Sequence, residues 1–209
     1  DGLIIKRIGK IYTYIFIDEV QDMAGYDLEI IKLLFNLTSN VLLVGDPRQV
    51  TYHTHDEAKY KKYSEGKIVD FIKNECQSCS VVIDDATLNI TYRNNKAICD
   101  FANAIYSEYK PCECKGHEPT GHDGVFFISP KEVDSYLALY HPMQLRDTRR
   151  TSVNDEYPAL NLGESKGLTF ERVLIYPTSK MIDWILDNKK DLKPQSKAKF
   201  YVGVTRAKH

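Results

Sequence analysis

The chain has 209 residues, 43% of them hydrophobic and 27% charged, with a net charge of −1. That allows one domain or two small ones. It excludes bulk electrostatic attraction as the basis of any nucleic-acid or membrane binding, which would need a local groove instead. No apolar run is long enough to span a bilayer and no signal-peptide pattern opens the chain, so it is read as cytoplasmic, with no membrane partner. Residues 1–10 are a lead-in of mixed charge. Residues 11–17, Ile-Tyr-Thr-Tyr-Ile-Phe-Ile, form a near-continuous run of β-branched and aromatic residues, the pattern of a parallel strand covered on both faces. Asp18, Glu19, Gln21 and Asp22 follow at once. Clustered carboxylates at the C-terminal end of a buried strand are where open α/β sheets place ligands, and hard oxygen donors suit Mg²⁺. For Asp-Glu alone, a solvated acidic turn is the plainer account.

Residues 27–37 show helical spacing, with Leu28, Ile31, Leu34 and Phe35 on one face. A second short buried strand over 41–45 ends in Gly45-Asp46-Pro47-Arg48-Gln49. Two apolar strands with polar tips and a helix between them make a βαβ unit, whose strand ends lie side by side. Residues 56–75 are helix-compatible. Lys59, Lys61, Lys62 and Lys67 interleave there with tyrosines, which suits a phosphate backbone or, more plainly, a solvated helix face. A third strand is predicted over 80–83. Asn94 or Asn95 can cap the next helix, which presents Ile98, Phe101, Ala102, Ile105 and Tyr106 on one side. Residues 110–124, rich in Pro and Gly, read as a linker.

A second α/β set opens with a strand over 125–128 and a helix over 130–140. Residues 141–158 are polar, with Arg146, Arg149 and Arg150, and carry no assignment. Strands follow over 159–162 and 172–176, then a helix over 179–191 and a last helix from about Ser196. The chain stops on His209 inside that helix, and reads as part of something larger. Five cysteines with no secretory pattern suggest reduced thiols. Cys76, Cys79, Cys112, Cys114 and His117 together make a zinc candidate, but the Cys112-x-Cys114 gap is short for a zinc knuckle. Incidental thiols are the plainer reading.

Five blocks in this order resemble the late motifs of superfamily 1 helicases of the UvrD/Rep type: Ile15-Phe-Ile-Asp-Glu-Val-Gln-Asp22, Val44-Gly-Asp-Pro-Arg-Gln49, Ile90-Thr-Tyr-Arg-Asn94, Glu164-Ser-Lys-Gly-Leu-Thr-Phe170 and Tyr201-Val-Gly-Val-Thr-Arg-Ala-Lys208. The resemblance implies an α/β fold of RecA-like P-loop NTPase lobes with mainly parallel sheets. Residues 1–90 would be the C-terminal part of the first lobe. Residues 91–209 would be a compact second lobe, truncated at its C-terminus, with ATP in the cleft between the two. It implies ATP-driven, 3′-to-5′ movement on single-stranded DNA, and a protein partner in a repair or defence complex. Residue by residue, Asp18 would hold Mg²⁺, Glu19 would be the general base and Gln49 would sense the γ-phosphate. Tyr92 would stack on adenine, and Arg93 and Arg206 would stabilise γ-phosphoryl charge. Gln21, Asp46, Lys166 and Gly167 would line the nucleotide site, and Tyr52, Ser165 and Thr205 would face the nucleic acid. Phosphoryl transfer needs metal, positioning and cations rather than covalent help, which suits this set.

The chain departs from the family pattern in four places. It contains no Gly-x-x-x-x-Gly-Lys-Ser/Thr loop, so by itself it is expected to bind ATP weakly and turn it over negligibly. Thr54 stands at the position of a base-stacking tryptophan. Thr169 replaces a glutamate. Only about seventy residues separate Arg93 from Lys166, which suggests that a large inserted subdomain is reduced or missing. The alternative reading is a non-catalytic module that keeps the lobe shape to bind nucleic acid or a protein.

Overall fold

The computed structural model describes residues 2–37, 40–52, 58–116, 118–188 and 190–209. The chain divides into two compact units, Asp1–Asp84 and Asp85–His209.

Unit 1 opens with helix α1 (Leu3–Ile11), where the sequence reading had only a lead-in. Leu3, Ile4, Ile8 and Ile11 recur at the helical period, so strand β1 (Tyr14–Ile17) starts later than expected. Helix α2 (Asp27–Phe35) crosses over to strand β2 (Asn40–Leu43). The strands are parallel, with Tyr14 opposite Asn40 and Ile17 opposite Leu43, so the expected βαβ unit is present. Helix α3 (Ile68–Glu75) completes a core of Val20, Leu28, Ile31, Tyr63, Ile68 and Phe71.

Ile17 and Leu43 pack on that core. The expectation of a strand covered on both faces is corrected: Phe16, on the opposite face, is 70% exposed, and Tyr14 and Leu42 are exposed with it. Alternate strand residues point to opposite faces, and the described residues of unit 1 cover one of them. The helix expected over 56–75 is a 3-10 turn (Lys61–Tyr63) followed by α3. His53, Thr54 and His55 lie outside the described residues. Residues 80–83 join no sheet, and Val82 is exposed. β-Branched residues favour a strand only where a neighbour supplies the ladder and the packing.

Unit 2 pairs β3 (Ile90–Thr91) with β4 (Glu113–Cys114), both very short and parallel, so the expected linker contains a strand. Helix α4 (Lys96–Ile105) follows β3, and helix α5 (Val133–Tyr140) precedes the main sheet. That sheet has the order β6 (Ala159–Asn161), β5 (Met143–Arg146), β7 (Val173–Tyr176), all parallel. Its central strand, β5, falls in the stretch with no sequence assignment. Helices α6 (Ser179–Leu186) and α7 (Pro194–Val204) close the unit. Phe101, Trp184 and Phe200 meet edge to face, with centroids 5.8–5.9 Å apart, and join α4, α6 and α7. Each such pair adds about 0.5–1.5 kcal/mol beyond the area buried. Residues 125–128, expected as a strand, join no sheet. They border an apolar cavity of about 230 Å³ that Val173, Ile175, Phe200 and Val204 also line.

Two tests follow from unit 1. Phe71 is fully buried, edge to face with Tyr60 at 5.1 Å and Tyr63 at 5.4 Å. Phe71→Ala should destabilise the unit by about 3–5 kcal/mol in denaturant unfolding. Glu29 accepts a hydrogen bond from the Tyr60 hydroxyl and an ion pair from Lys59 at 2.9 Å, which hold its carboxyl below the usual glutamate range. A depressed carboxylate stabilises the fold above its ordinary value, and that stability is lost as pH falls through the folded value. Thermal midpoints measured from about pH 7 down to about pH 3 should fall more steeply for the wild type than for Glu29→Gln.

Candidate functional site

In unit 1 the paired ends of β1 and β2 deliver Asp18–Asp22 and Gly45–Gln49 to one edge. The backbone closes the junction: Val44 N–H donates to Ile17 O at 2.8 Å, and Val20 N–H to Val44 O at 3.0 Å. Asp18 is exposed, and its Oδ1 accepts the Glu19 amide at 2.8 Å. Glu19 is left-handed, with φ 53°. That conformation costs a non-glycine residue about 1–2 kcal/mol, and the Asp18 contact offsets part of it.

Buried Gln21 links the two tips. Its Nε2 donates to Glu19 Oε2 at 2.5 Å, and its Oε1 accepts the Asp46 amide at 3.0 Å. Asp46 in turn holds the second tip together. Its Oδ1 accepts Arg48 Nε at 2.8 Å, and its Oδ2 accepts Arg48 Nη2 at 3.1 Å and Gln49 Nε2 at 3.0 Å. Gly45 makes the approach possible, because a Cβ there would overlap Gln21 Oε1 and lie 2.9 Å from Val20 Cγ1. The result is a continuous polar chain, Glu19–Gln21–Asp46–Gln49, with Asp18 and Glu19 at its exposed end. One exposed carboxylate beside such a chain fits Mg²⁺, which takes one or two protein carboxylates and fills its other positions with phosphate oxygens and water. Tyr52 is exposed just beyond.

In unit 2 the predicted arginines meet around Thr205. Arg93 Nη1 donates to Thr205 O at 3.3 Å, and Arg206 Nη2 donates to the Thr205 hydroxyl at 3.0 Å. Arg206 is only 2% exposed, and its Nε and Nη1 donate to Val202 O and Leu168 O. The last bond ties it to the Glu164–Phe170 block, where Lys166 is half-buried and Gly167 has φ 79°. Tyr92 is 64% exposed, with its ring open to stacking. Ser165 and Thr205 are buried, and their hydroxyls donate to carbonyls of their own unit, Leu162 for Ser165 and Tyr201 and Val202 for Thr205. These hydroxyls hold turns in place.

Arg48 carries no role in the sequence reading, and Asn94 only that of a candidate cap of α4, a task that Asn95 takes instead. Arg48 is the bidentate partner of Asp46, a pairing visible in advance only as spacing i, i+2. Asn94 makes long-range bonds that sequence spacing cannot reveal. Among the described residues no three His, Cys, Asp or Glu side chains cluster as a metal site. Cys99 is buried, which pushes its thiol up to about 12, and His117 lies outside the described residues. Among the described residues no helix is long and apolar enough to cross a membrane.

The UvrD/REP helicase N-terminal domain model matches residues 3–68. A probable DNA helicase of Mycoplasma pneumoniae is 24% identical over 93% of this chain and 42% of its own length. The ATP-dependent DNA helicase PcrA of Leuconostoc citreum is 24% identical over 73% of this chain and 19% of its own. The chain therefore spans less than half the length of these curated relatives. Among solved structures, the Arterivirus nonstructural protein 10 helicase in complex with DNA aligns at a TM-score of 0.51 and 19% identity, over 92% of this chain and 37% of that one. That likeness, with the parallel sheets, gives a RecA-like α/β fold. The family match over residues 3–68, the named relatives and the order of the five blocks together support a UvrD/Rep-type superfamily 1 helicase fragment.

Proposed function

We propose that the chain supplies catalytic and coupling residues of an ATP-dependent DNA helicase or translocase that moves 3′ to 5′ on single-stranded DNA. Unit 1 is the C-terminal part of a first RecA-like lobe, and unit 2 is a compact second lobe. The observation that carries the reading is the polar chain Glu19–Gln21–Asp46–Gln49, which ties the metal-and-base tip of β1 to the Gln49 tip of β2. A change at Gln49 is thereby transmitted to the carboxylate that handles water. The activity belongs to a polypeptide in which this chain is joined to a phosphate-cradling loop, since its own 209 residues hold none.

In this reading Asp18 would hold Mg²⁺, which when bound neutralises charge on the β- and γ-phosphate oxygens. Glu19 orients the attacking water and takes its proton as the oxygen bonds to the γ-phosphorus and the bond from that phosphorus to the β,γ-bridging oxygen breaks, releasing ADP and phosphate. Gln49 contacts the γ-phosphate, and Tyr92 stacks on the adenine. Arg93 brings its guanidinium to the charge that develops on the γ-phosphoryl oxygens, and Arg206 adds a second, fixed positive charge beside it. Lys166 and Gly167 border the nucleotide, and exposed Tyr52 faces the DNA. Ser165 and Thr205 serve the nucleic acid indirectly, through the turns they fix.

ATP hydrolysis by the intact gene product, with and without single-stranded DNA, tests the proposal. Glu19→Gln should lower DNA-stimulated turnover by about 10²-fold or more while nucleotide binding persists, and wild-type turnover in that variant would remove the assigned base. Arg93→Ala should lower kcat by about 10³-fold with little change in DNA affinity, so a selective loss of DNA binding would contradict its role. A wild-type protein with no DNA-stimulated hydrolysis would leave a binding module in its place.

A further inference from the structure

Asn94 is 4% exposed and lies between β3 and α4. Its carboxamide uses both donors and its acceptor. Nδ2 donates to Thr205 O at 3.1 Å and to Ala207 O at 2.6 Å, and Oδ1 accepts the Thr91 hydroxyl at 3.1 Å. The orientation is fixed by this set, because a half-turn would point the amide oxygen at two carbonyls. The backbone adds a parallel tie, from Asn95 N–H to Lys208 O at 3.0 Å. One side chain thus fastens the segment before α4 to the segment after α7, across separations of 111 and 113 residues.

The fastened residue is the one both arginines use. Thr205 O accepts Asn94 and Arg93 together, while the Thr205 hydroxyl accepts Arg206. Its neighbour Asn95 has a local task, accepting Ile98 N–H as the cap of α4 at 2.9 Å. Asparagine suits position 94 because a serine has a single donor, an aspartate would set charge against two carbonyls, and an apolar side chain would leave the Ala207 carbonyl buried without its donor and Thr205 O with Arg93 alone.

We propose that Asn94 is a positioning residue that sets the placement of Arg93 against Thr205 and Arg206, and so governs phosphoryl-transfer efficiency without touching nucleotide or DNA. The kinetic half of this inference rests on the ATP-hydrolysing reading above; the structural half does not. Two arms test it. In the first, amide hydrogen exchange is followed in Asn94→Ala, at Asn95, Lys208 and His209, with the amides of α6 as internal reference. Exchange at the three positions should accelerate about tenfold or more with α6 unchanged, and equal exchange in variant and wild type overturns the clamp. Should Asn94→Ala unfold the unit, Asn94→Ser, which keeps one donor, is read instead under the same criterion.

In the second arm, Asn94→Ala and Arg93→Ala are combined in a double-mutant cycle on DNA-stimulated ATP hydrolysis. Asn94→Ala alone should lower kcat about tenfold with KM for ATP nearly unchanged, and should add less than about twofold once Arg93 is gone. Losses that multiply independently would make Asn94 merely structural and overturn the proposal. No turnover in the parent protein would overturn the catalytic reading and the kinetic half together, while the exchange arm still decides the clamp.

Discussion

Parallel strand pairing is the constraint from which the unit 1 site follows. Two parallel neighbours need a crossover between them, and the crossover returns the chain to the same end of the sheet. With Ile17 opposite Leu43, the residues after β1 and after β2 must emerge together. Asp18–Asp22 and Gly45–Gln49, more than twenty residues apart, thereby become neighbours with no further instruction. Gly45 supplies the remaining condition, room for the Gln21 carboxamide against the backbone. Register brings the two tips together, and the polar chain through Gln21 and Asp46 fixes their detail.

Unit 2 reaches its arrangement by another route, through buried polar side chains bonded to backbone carbonyls. Gln144 is completely buried at the centre of β5. It donates to Asn154 O and Tyr157 O, and it accepts Asn154 N–H and the Tyr176 hydroxyl. It thus straps the 154–157 loop to the sheet. Arg206 and Asn94 make similar use of carbonyls left open at turns and helix ends. A buried polar group costs about 1–3 kcal/mol when unpaired, so each of these side chains allows one arrangement and penalises its neighbours. Such groups add less net stability than an apolar core residue does, but they define position more sharply. The aromatic trio of Phe101, Trp184 and Phe200 holds the helices together, and the polar side chains set where the loops lie.

What could be read in the sequence divides along the same line. Strands β1, β2, β6 and β7 and helices α2, α4, α6 and α7 announce themselves by apolar periodicity, and so does the βαβ unit. Strand β5 does not, because Met-Gln-Leu-Arg has no β-branched residue and hides a buried glutamine. Residues 80–83 and 125–128 look like strands by composition yet find no ladder, since a strand is a property of two segments and composition describes one. Helix α1 was obscured by its charges. The polar blocks were legible as positions along the chain, but the side chains that connect them were not: Gln21 to Asp46 and Asn94 to Thr205 are tertiary bonds with no sequence period. The lysine–tyrosine stretch shows the converse. Lys59 and Lys62 look available to a phosphate backbone, but Glu29 and Glu75 take them as ion pairs at 2.9 and 3.3 Å.

Exposure sorts the aromatic residues in a way that bears on function. Tyr60 and Tyr63 pack edge to face on Phe71 and spend their hydroxyls on Glu29 and Glu75. Tyr106 packs against Tyr201. Tyr176 donates to Gln144. Tyr12, Tyr14 and Tyr26 are exposed as well, but Tyr92 and Tyr52 are exposed beside the polar blocks, Tyr92 next to Arg93 and Tyr52 three residues after Gln49. An exposed ring gives up burial worth about 1.5–3 kcal/mol for a large side chain, and stacking on a flat aromatic ligand recovers surface of that order. The adjoining residues keep the ring in place: Arg93 and Asn94 are bonded to Thr205 beside Tyr92, and Val50 and Thr51 are buried before Tyr52. Each tyrosine is therefore an open ring on a held backbone. Nucleobase stacking needs that combination, and the packed tyrosines cannot offer it.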